Sequence, residues 1–245
     1  MRYLFVIVIL VGLIGCKKAE DRRCLKGAGE VTERIVPVGA FGEVFIGPNV
    51  SVVLVQDGTN EIHIIGGKNL VNFISTDITD NKLVITNENR CNFLRSYKQE
   101  ITVEIHYTGL YKIEFEGTKP LSCESPILGN NLTVITRDGA GHVDLDVAYN
   151  NITYVVTNGW GNFDLSGSTN TLILDIRSNG FGSTYDLSIG SQLNVTSTTA
   201  GLLKVNTDNA DCTFDLQSVG DLWYIGTPLN LDVTSSGDGE VINKN

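Results

Sequence analysis

The phrase DGAGHVDLDV at 138–147 returns as NGWGNFDLSG at 158–167 and as NGFGSTYDLS at 179–188, and this repetition constrains the fold more than any other feature of the chain. Aligned on the second glycine of the phrase, the copies continue as Gly141, Gly161, Gly182, Gly201, Gly220 and Gly239, spaced by 20, 21, 19, 19 and 19 residues. The first glycine recurs as Gly139, Gly159, Gly180 and Gly237, while Thr199 and Ser218 replace it in the two middle copies. A small residue is therefore demanded at each turn, either for positive φ or because neighbouring backbones approach too closely for a Cβ.

Two segments with apolar–polar alternation lie between successive turns, the period-2 signature of strands with one buried face. One set reads NLTVIT, NITYVVT, TLILDIR, QLNVTS, CTFDLQ and LNLDVT, and the other HVDLDV, NFDLSG, STYDLSI, LLKVNT, DLWYIG and EVINKN. A strand–turn–strand unit of about 20 residues cannot cover its own apolar face and must stack on its neighbours, which predicts an all-β solenoid with serial repeats over 131–245. In-register stacking would place Leu132, Ile152, Leu172 and Leu193 in one interior file, and Leu145, Leu165 and Leu187 in another. A meander of β-hairpins is the alternative that the Asn-Gly and Asp-Gly turns allow. With 26 Gly, one Met and no long stretch of helical apolar spacing, the composition agrees with strands and turns.

Residues 38–123 lack the strict period but remain strand-rich, in VSVVLVQ, EIHIIGG, KLVITN, EITVEIHY and YKIEFEG. A short helical turn is expected within Asn69 to Ile74, a loop between coils at LSCESPILGN, and an earlier copy of the turn at Gly117. One continuous domain over 38–245 follows. From LKGAGEVTERIVPVGAFGEVFIGPNVSVVLVQDG through KNLVNFISTDITDNKLVIT and ITVEIHYTGLYKIEFEGT to the serial turns, the chain resembles the head GIN domain of "putative auto-transporter adhesins". The resemblance implies a right-handed parallel β-helix of unestablished function, with adhesion as a suggestion. Trp160, Phe181 and Thr199 at the turns depart from that family's usual Ser-Gly-Ala-Gly-Asp.

The N-terminus reads MRYLFVIVILVGLIGC. A basic residue followed by twelve apolar ones is too short to cross a bilayer as a helix and reads as a signal peptide over 1–15. Leu13-Ile14-Gly15-Cys16 resembles the lipobox of bacterial lipoproteins, which implies cleavage before Cys16, lipid on that residue and attachment to the membrane through it. Several acyl chains on one residue anchor stably where one does not. Residues 16–37 then form a polar tether leading into the first strand, and the expected location is the cell envelope, as an outer-membrane lipoprotein on either the periplasmic or the surface face. Cys24, Cys91, Cys123 and Cys212 allow three full pairings and none forms a CxxC zinc motif. A net charge of −10 argues against nucleic acid as a partner.

Chemistry is sparse. Asp144 and Asp164 share one place in consecutive repeats, with Asp186 offset by one, so a carboxylate ladder is a weak cation candidate and a solvated acidic file the plainer reading. His63, His106 and His142 are read as separate strand residues. No catalytic residue or cofactor is assigned, since HExxH, GxSxG and GxxxxGK[ST] are all missing. Trp160 and Phe181 fall between the two glycines of successive turns and, with Tyr185, form the candidate binding surface. The expectation is a non-enzymatic module that adheres to or binds glycan or protein. A carbohydrate-active β-helix enzyme and a structural subunit of an envelope complex are the alternatives.

Overall fold

The computed structural model describes residues 26–89 and 100–245; the leader, Cys16, Cys24 and Cys91 lie outside the described residues. The alternating segments become strands, with STYDLSI broken by a turn at Tyr185 and Asp186. They are β1 (Val31–Pro37), β2 (Glu43–Ile46), β3 (Ser51–Gln56), β4 (Glu61–Gly67), β5 (Ile74–Thr79), β6 (Lys82–Asn87), β7 (Thr102–Tyr107), β8 (Lys112–Phe115) and β9 (Leu121–Cys123) in the first half. The repeats supply β10 (Ile127–Thr136), β11 (His142–Val156), β12 (Asn162–Ser178), β13 (Phe181–Thr184), β14 (Leu187–Thr199), β15 (Leu203–Asn206), β16 (Asp211–Leu216), β17 (Leu222–Ile225), β18 (Asn230–Ser235) and β19 (Val241–Asn243). The expected helical turn is a 3-10 turn at Val71–Phe73.

Copies of a repeat pair in parallel, so the chain is a β-solenoid and the hairpin meander is overturned. One file runs β6–β2–β8–β10–β11–β12–β14–β16–β18. The second runs β7–β3–β9–β11–β12–β13–β15–β17–β19. Strands β11 and β12 serve both files because each rounds a corner: Tyr149 and Ile152 are both buried, with Asn150 and Asn151 facing outward between them. Antiparallel pairing joins β1 to β4, β4 to β7 and β5 to β6 at the N-terminal end of the stack. Asp80 and Asn81, at φ 49° and 65°, make the tight β5–β6 hairpin turn.

The coils do not stack in chain order throughout. Strands β2 and β3 are flanked by β6 and β7 on one side and by β8 and β9 on the other. LSCESPILGN is accordingly no inserted loop: it carries β9, which closes against both β3 and β11.

Inside, Leu132, Ile152, Leu172, Leu193, Cys212 and Leu231 stand in one file, the first five buried. The second file differs from expectation, because Leu187 pairs with Gly167 while Asp164 pairs with Ser183, which brings Thr184 beside Leu165. Tyr185 and Asp186 form a turn between β13 and β14 that holds one residue more than the facing stretch of β12, and this shifts the pattern. The rings of Tyr154 and Phe163 meet at 4.3 Å in the core.

The corner glycines are required chiefly by coil-to-coil contact. A Cβ on Gly139 would lie 2.4 Å from the Gly117 carbonyl oxygen, on Gly201 2.3 Å from that of Gly180, on Gly220 2.4 Å from that of Gly201, and on Gly239 2.3 Å from that of Gly220. Gly180, not Gly182, thus continues the stacked file. Gly182 instead makes room for the Phe163 ring, 2.5 Å from where its Cβ would be.

On the outer surface of the first file, Glu114 is 8% exposed and is met by Lys112 Nζ at 2.7 Å, Lys82 Nζ at 2.9 Å and Arg137 Nη2 at 3.0 Å. Lys112 stands on β8 itself, Lys82 on β6 and Arg137 just past β10, so one carboxylate ties together three strands of the file. Burial works to raise the Glu114 carboxyl, but the hydrogen bonds from Lys112 and Lys82 outweigh it and hold the group at about 2.

Two predictions test these contacts. Gly220→Ala will destabilise the protein by about 1–3 kcal/mol, as forced overpacking does. In the same denaturant titration Gly109→Ala, with nothing within 4 Å of the new Cβ, will stay near wild type. Glu114→Gln will cost about 1–3 kcal/mol, because three half-buried cations lose their shared, buried anionic acceptor. The sign follows from a folded value below the unfolded one: the difference from wild type is full above the ordinary 4.5 and closes as pH falls through about 2.

Candidate functional site

Backbone pairing fixes the corner before any side chain is considered. The Trp160 amide donates to the Gly139 carbonyl at 3.2 Å and the Phe181 amide to the Gly161 carbonyl at 2.9 Å, each reaching the preceding coil. Trp160 is 62% and Phe181 36% exposed. They do not occupy equivalent places, however: Phe181 is in register with Asn162, and through it with His142, whereas Trp160 lies two residues before Asn162. The two aromatics are diagonal neighbours on adjacent coils. Tyr185 departs further from expectation, since its hydroxyl is buried without a hydrogen-bond partner. Burial raises its pKa, and it belongs to the turn between β13 and β14 rather than to the exposed corner.

The carboxylate ladder has two rungs, not three. Asp144 pairs in register with Asp164, and the next coil offers Ser183 and then Lys204. Asp186 stands outside the file, in the turn that displaces Leu187. His142 Nε2 lies 3.4 Å from Asp164 Oδ2, so this flank presents imidazole, carboxylate, amide and an aromatic ring side by side.

Cys123 and Cys212 are free. Burial pushes both thiols up, Cys212 to about 11, and the Asp146 amide donates to the Cys123 sulfur at 3.2 Å. Neither has the exposed, low-pKa environment of a reactive cysteine.

The histidines contradict the expectation that they are separate. Strands β4 and β7 carry the same triplet, Glu61-Ile-His63 and Glu104-Ile-His106, and their antiparallel register sets Glu61 opposite His106 and His63 opposite Glu104. The two imidazoles meet with ring centroids 4.3 Å apart. His63 Nδ1 contacts Glu33 at 2.8 Å and its Nε2 contacts Glu61 at 3.0 Å; His106 Nδ1 contacts Asp57 at 2.7 Å. The Glu61 hydrogen bond raises the His63 pKa against the opposing effect of burial, and the His106 hydrogen bond holds Asp57 at about 2. The repeated triplet was the legible signal, and it needed the antiparallel pairing to acquire meaning.

A family model described as "Putative auto-transporter adhesin, head GIN domain" matches residues 40–228. Among solved structures, the chain is similar to a "putative adhesin" from Bacteroides fragilis NCTC 9343, with a TM-score of 0.77, 20% identity, and 89% of this chain and 99% of that one covered. A "putative adhesin" from Parabacteroides distasonis ATCC 8503 matches with a TM-score of 0.66 and 18% identity, over 89% and 99% of the two chains. A "putative lipid binding protein" from the same organism matches with a TM-score of 0.63 and 13% identity, over 89% and 98%. At these identities the likeness is one of fold. No curated protein matches the chain in sequence.

The difference between the two tryptophans can be read optically. Trp223 is half-buried and lies under Lys244, whose Nζ is 4.1 Å from the ring centroid, whereas Trp160 faces solvent. Trp160→Phe should remove the redder, more acrylamide-quenchable part of the emission and leave a bluer, protected remainder.

Proposed function

The chain belongs to the head GIN domain family, and on that premise we propose that it is a non-enzymatic binding module of the cell envelope whose contact surface is the corner bearing Trp160 and Phe181. The observation that carries the reading is the 62% exposure of Trp160 on a backbone hydrogen-bonded to the preceding coil. A large apolar ring held outward on a rigid frame loses little freedom when a partner covers it, and aromatic faces with a polar edge suit both sugar rings and protein surfaces. His142, Asn162 and Asp164 supply polar groups beside Phe181, the mixture that would orient a hydroxylated ligand. Glycan is the favoured ligand class. Lipid on Cys16 would hold the module at the outer membrane, with the polar segment after it as a spacer.

A second reading, docking within an envelope complex, is favoured by the far end of the stack. All of β18 is exposed, Leu231 and Val233 included, as is Leu229 just before it, and no described strand pairs with its outer edge. Such an edge accepts another strand readily.

The test is a glycan array and a whole-cell pull-down with the purified protein, run beside Trp160→Ala/Phe181→Ala. Binding that the double variant loses by tenfold or more supports the corner as the site. Binding that the variant retains removes the corner from the account, and a stoichiometric membrane partner captured equally by both would favour the docking end.

A further inference from the structure

We propose that His63, His106 and Glu104 bind one divalent transition-metal ion of the zinc class, which staples the antiparallel cap of the solenoid to its first parallel coil. One ligand atom from each of the three residues lies within 4.8 Å of the other two. A tetrahedral zinc site with bonds of about 2.0–2.1 Å needs its ligand atoms roughly 3.3 Å apart. His106 Nε2 and Glu104 Oε2 are already 3.8 Å apart. Side-chain rotation on two paired strands can supply the remainder, with β4 and β7 left in register.

Three further observations point to a cation rather than to an ordinary surface network. The Nδ1 atoms of both histidines are taken by outer carboxylates, Glu33 and Asp57, which is how ligating histidines are usually oriented with Nε2 toward the metal. His106 Nε2 is itself buried and has no hydrogen-bond partner, so the atom that would ligate has no other described role. The charge is unbalanced as well. Four carboxylates (Glu33, Asp57, Glu61 and Glu104) surround two imidazoles, and among the described residues no lysine or arginine forms an ion pair with any of them. Even with both rings protonated the cluster keeps two net negative charges, and two imidazolium rings at 4.3 Å would repel.

The donor set selects the class of ion. Imidazole nitrogens with one carboxylate suit zinc and its neighbours, whereas calcium and magnesium prefer all-oxygen sites. Glu61 Oε1, 3.0 Å from His63 Nε2, is placed to turn in as a fourth ligand or to hold a bound water. The site joins β4 of the cap to β7 of the first coil, and solenoids depend on such terminal caps to end the stack.

The experiment is calorimetric titration of the chelator-treated full chain with Zn²⁺, with Co²⁺ as an optical probe and Ca²⁺ as a control. The expected result is one saturable Zn²⁺ equivalent, a visible Co²⁺ spectrum of four- or five-coordinate intensity and no response to Ca²⁺. His106→Gln and His63→Gln should each weaken Zn²⁺ at least tenfold, and Glu33→Gln and Asp57→Asn by about 10–100-fold, as outer partners of ligating histidines do. Asp144→Asn/Asp164→Asn should bind as wild type. Absence of saturable Zn²⁺ binding by the wild-type chain, a preference for Ca²⁺, or Zn²⁺ binding unchanged in His106→Gln would each overturn the assignment. The wild-type Co²⁺ spectrum decides the matter even if a variant fails to fold.

Discussion

Backbone meeting backbone at the glycine corner is the contact on which the rest of the structure depends. Where Gly139 lies over Gly117, Gly201 over Gly180 and Gly220 over Gly201, the carbonyl of one coil fills the space a Cβ would need on the next. That proximity lets the flanking strands enter the parallel ladder on both faces, and the ladder satisfies the backbone groups of every coil between the two ends. Interior side chains then fall into files, Leu132 to Leu172 and Val134 to Leu174, because the register leaves them no other place. Hydrophobic burial is the large favourable term, but the corner decides which side chains share it.

The same register makes the outer surface an array. Residues that recur every coil present themselves in rows on a frame held by long-range hydrogen bonds. Trp160, in the turn between β11 and β12, and Phe181, at the start of β13, each have a backbone amide bonded to the preceding coil. The chemistry changes along the stack: a histidine–carboxylate square on β4 and β7, a buried carboxylate among three cations on β8, an acidic and aromatic flank on β11 to β13, and an apolar edge on β18. A solenoid can carry several separate surfaces in this way, since each coil touches only its neighbours.

Much of this was legible in the sequence, and the failures share a cause. Period and alternation in 131–245 were enough for the parallel stack, the Leu132 file and the corner turns, because each repeat states its own pattern. Alignment by motif placed Gly182 in the glycine file and Asp186 in the ladder. Only the pairing of Phe163 with Gly182 and of Gly167 with Leu187 reveals the one extra residue in the turn at Tyr185 and Asp186. The early coils were hidden more deeply. That β2 and β3 lie between two later coils is a long-range fact with no local signature, and the His63–His106 pair depends on it, because β7 reaches β4 only by flanking β3. Buried Glu114 was unreadable for the same reason, because Lys82 reaches it from β6 across the intervening β2.

Register is therefore the central claim, and paired cysteines measure it most directly. In-register Cα atoms of parallel neighbours are about 4.8 Å apart, within disulfide reach. Three double variants suffice: Asp144→Cys/Asp164→Cys, Asp164→Cys/Ser183→Cys and Asp164→Cys/Asp186→Cys, each oxidised in the folded protein. The account predicts rapid cross-linking of the first two and little of the third. Cross-linking of 164 to 186 in preference to 183 would contradict it.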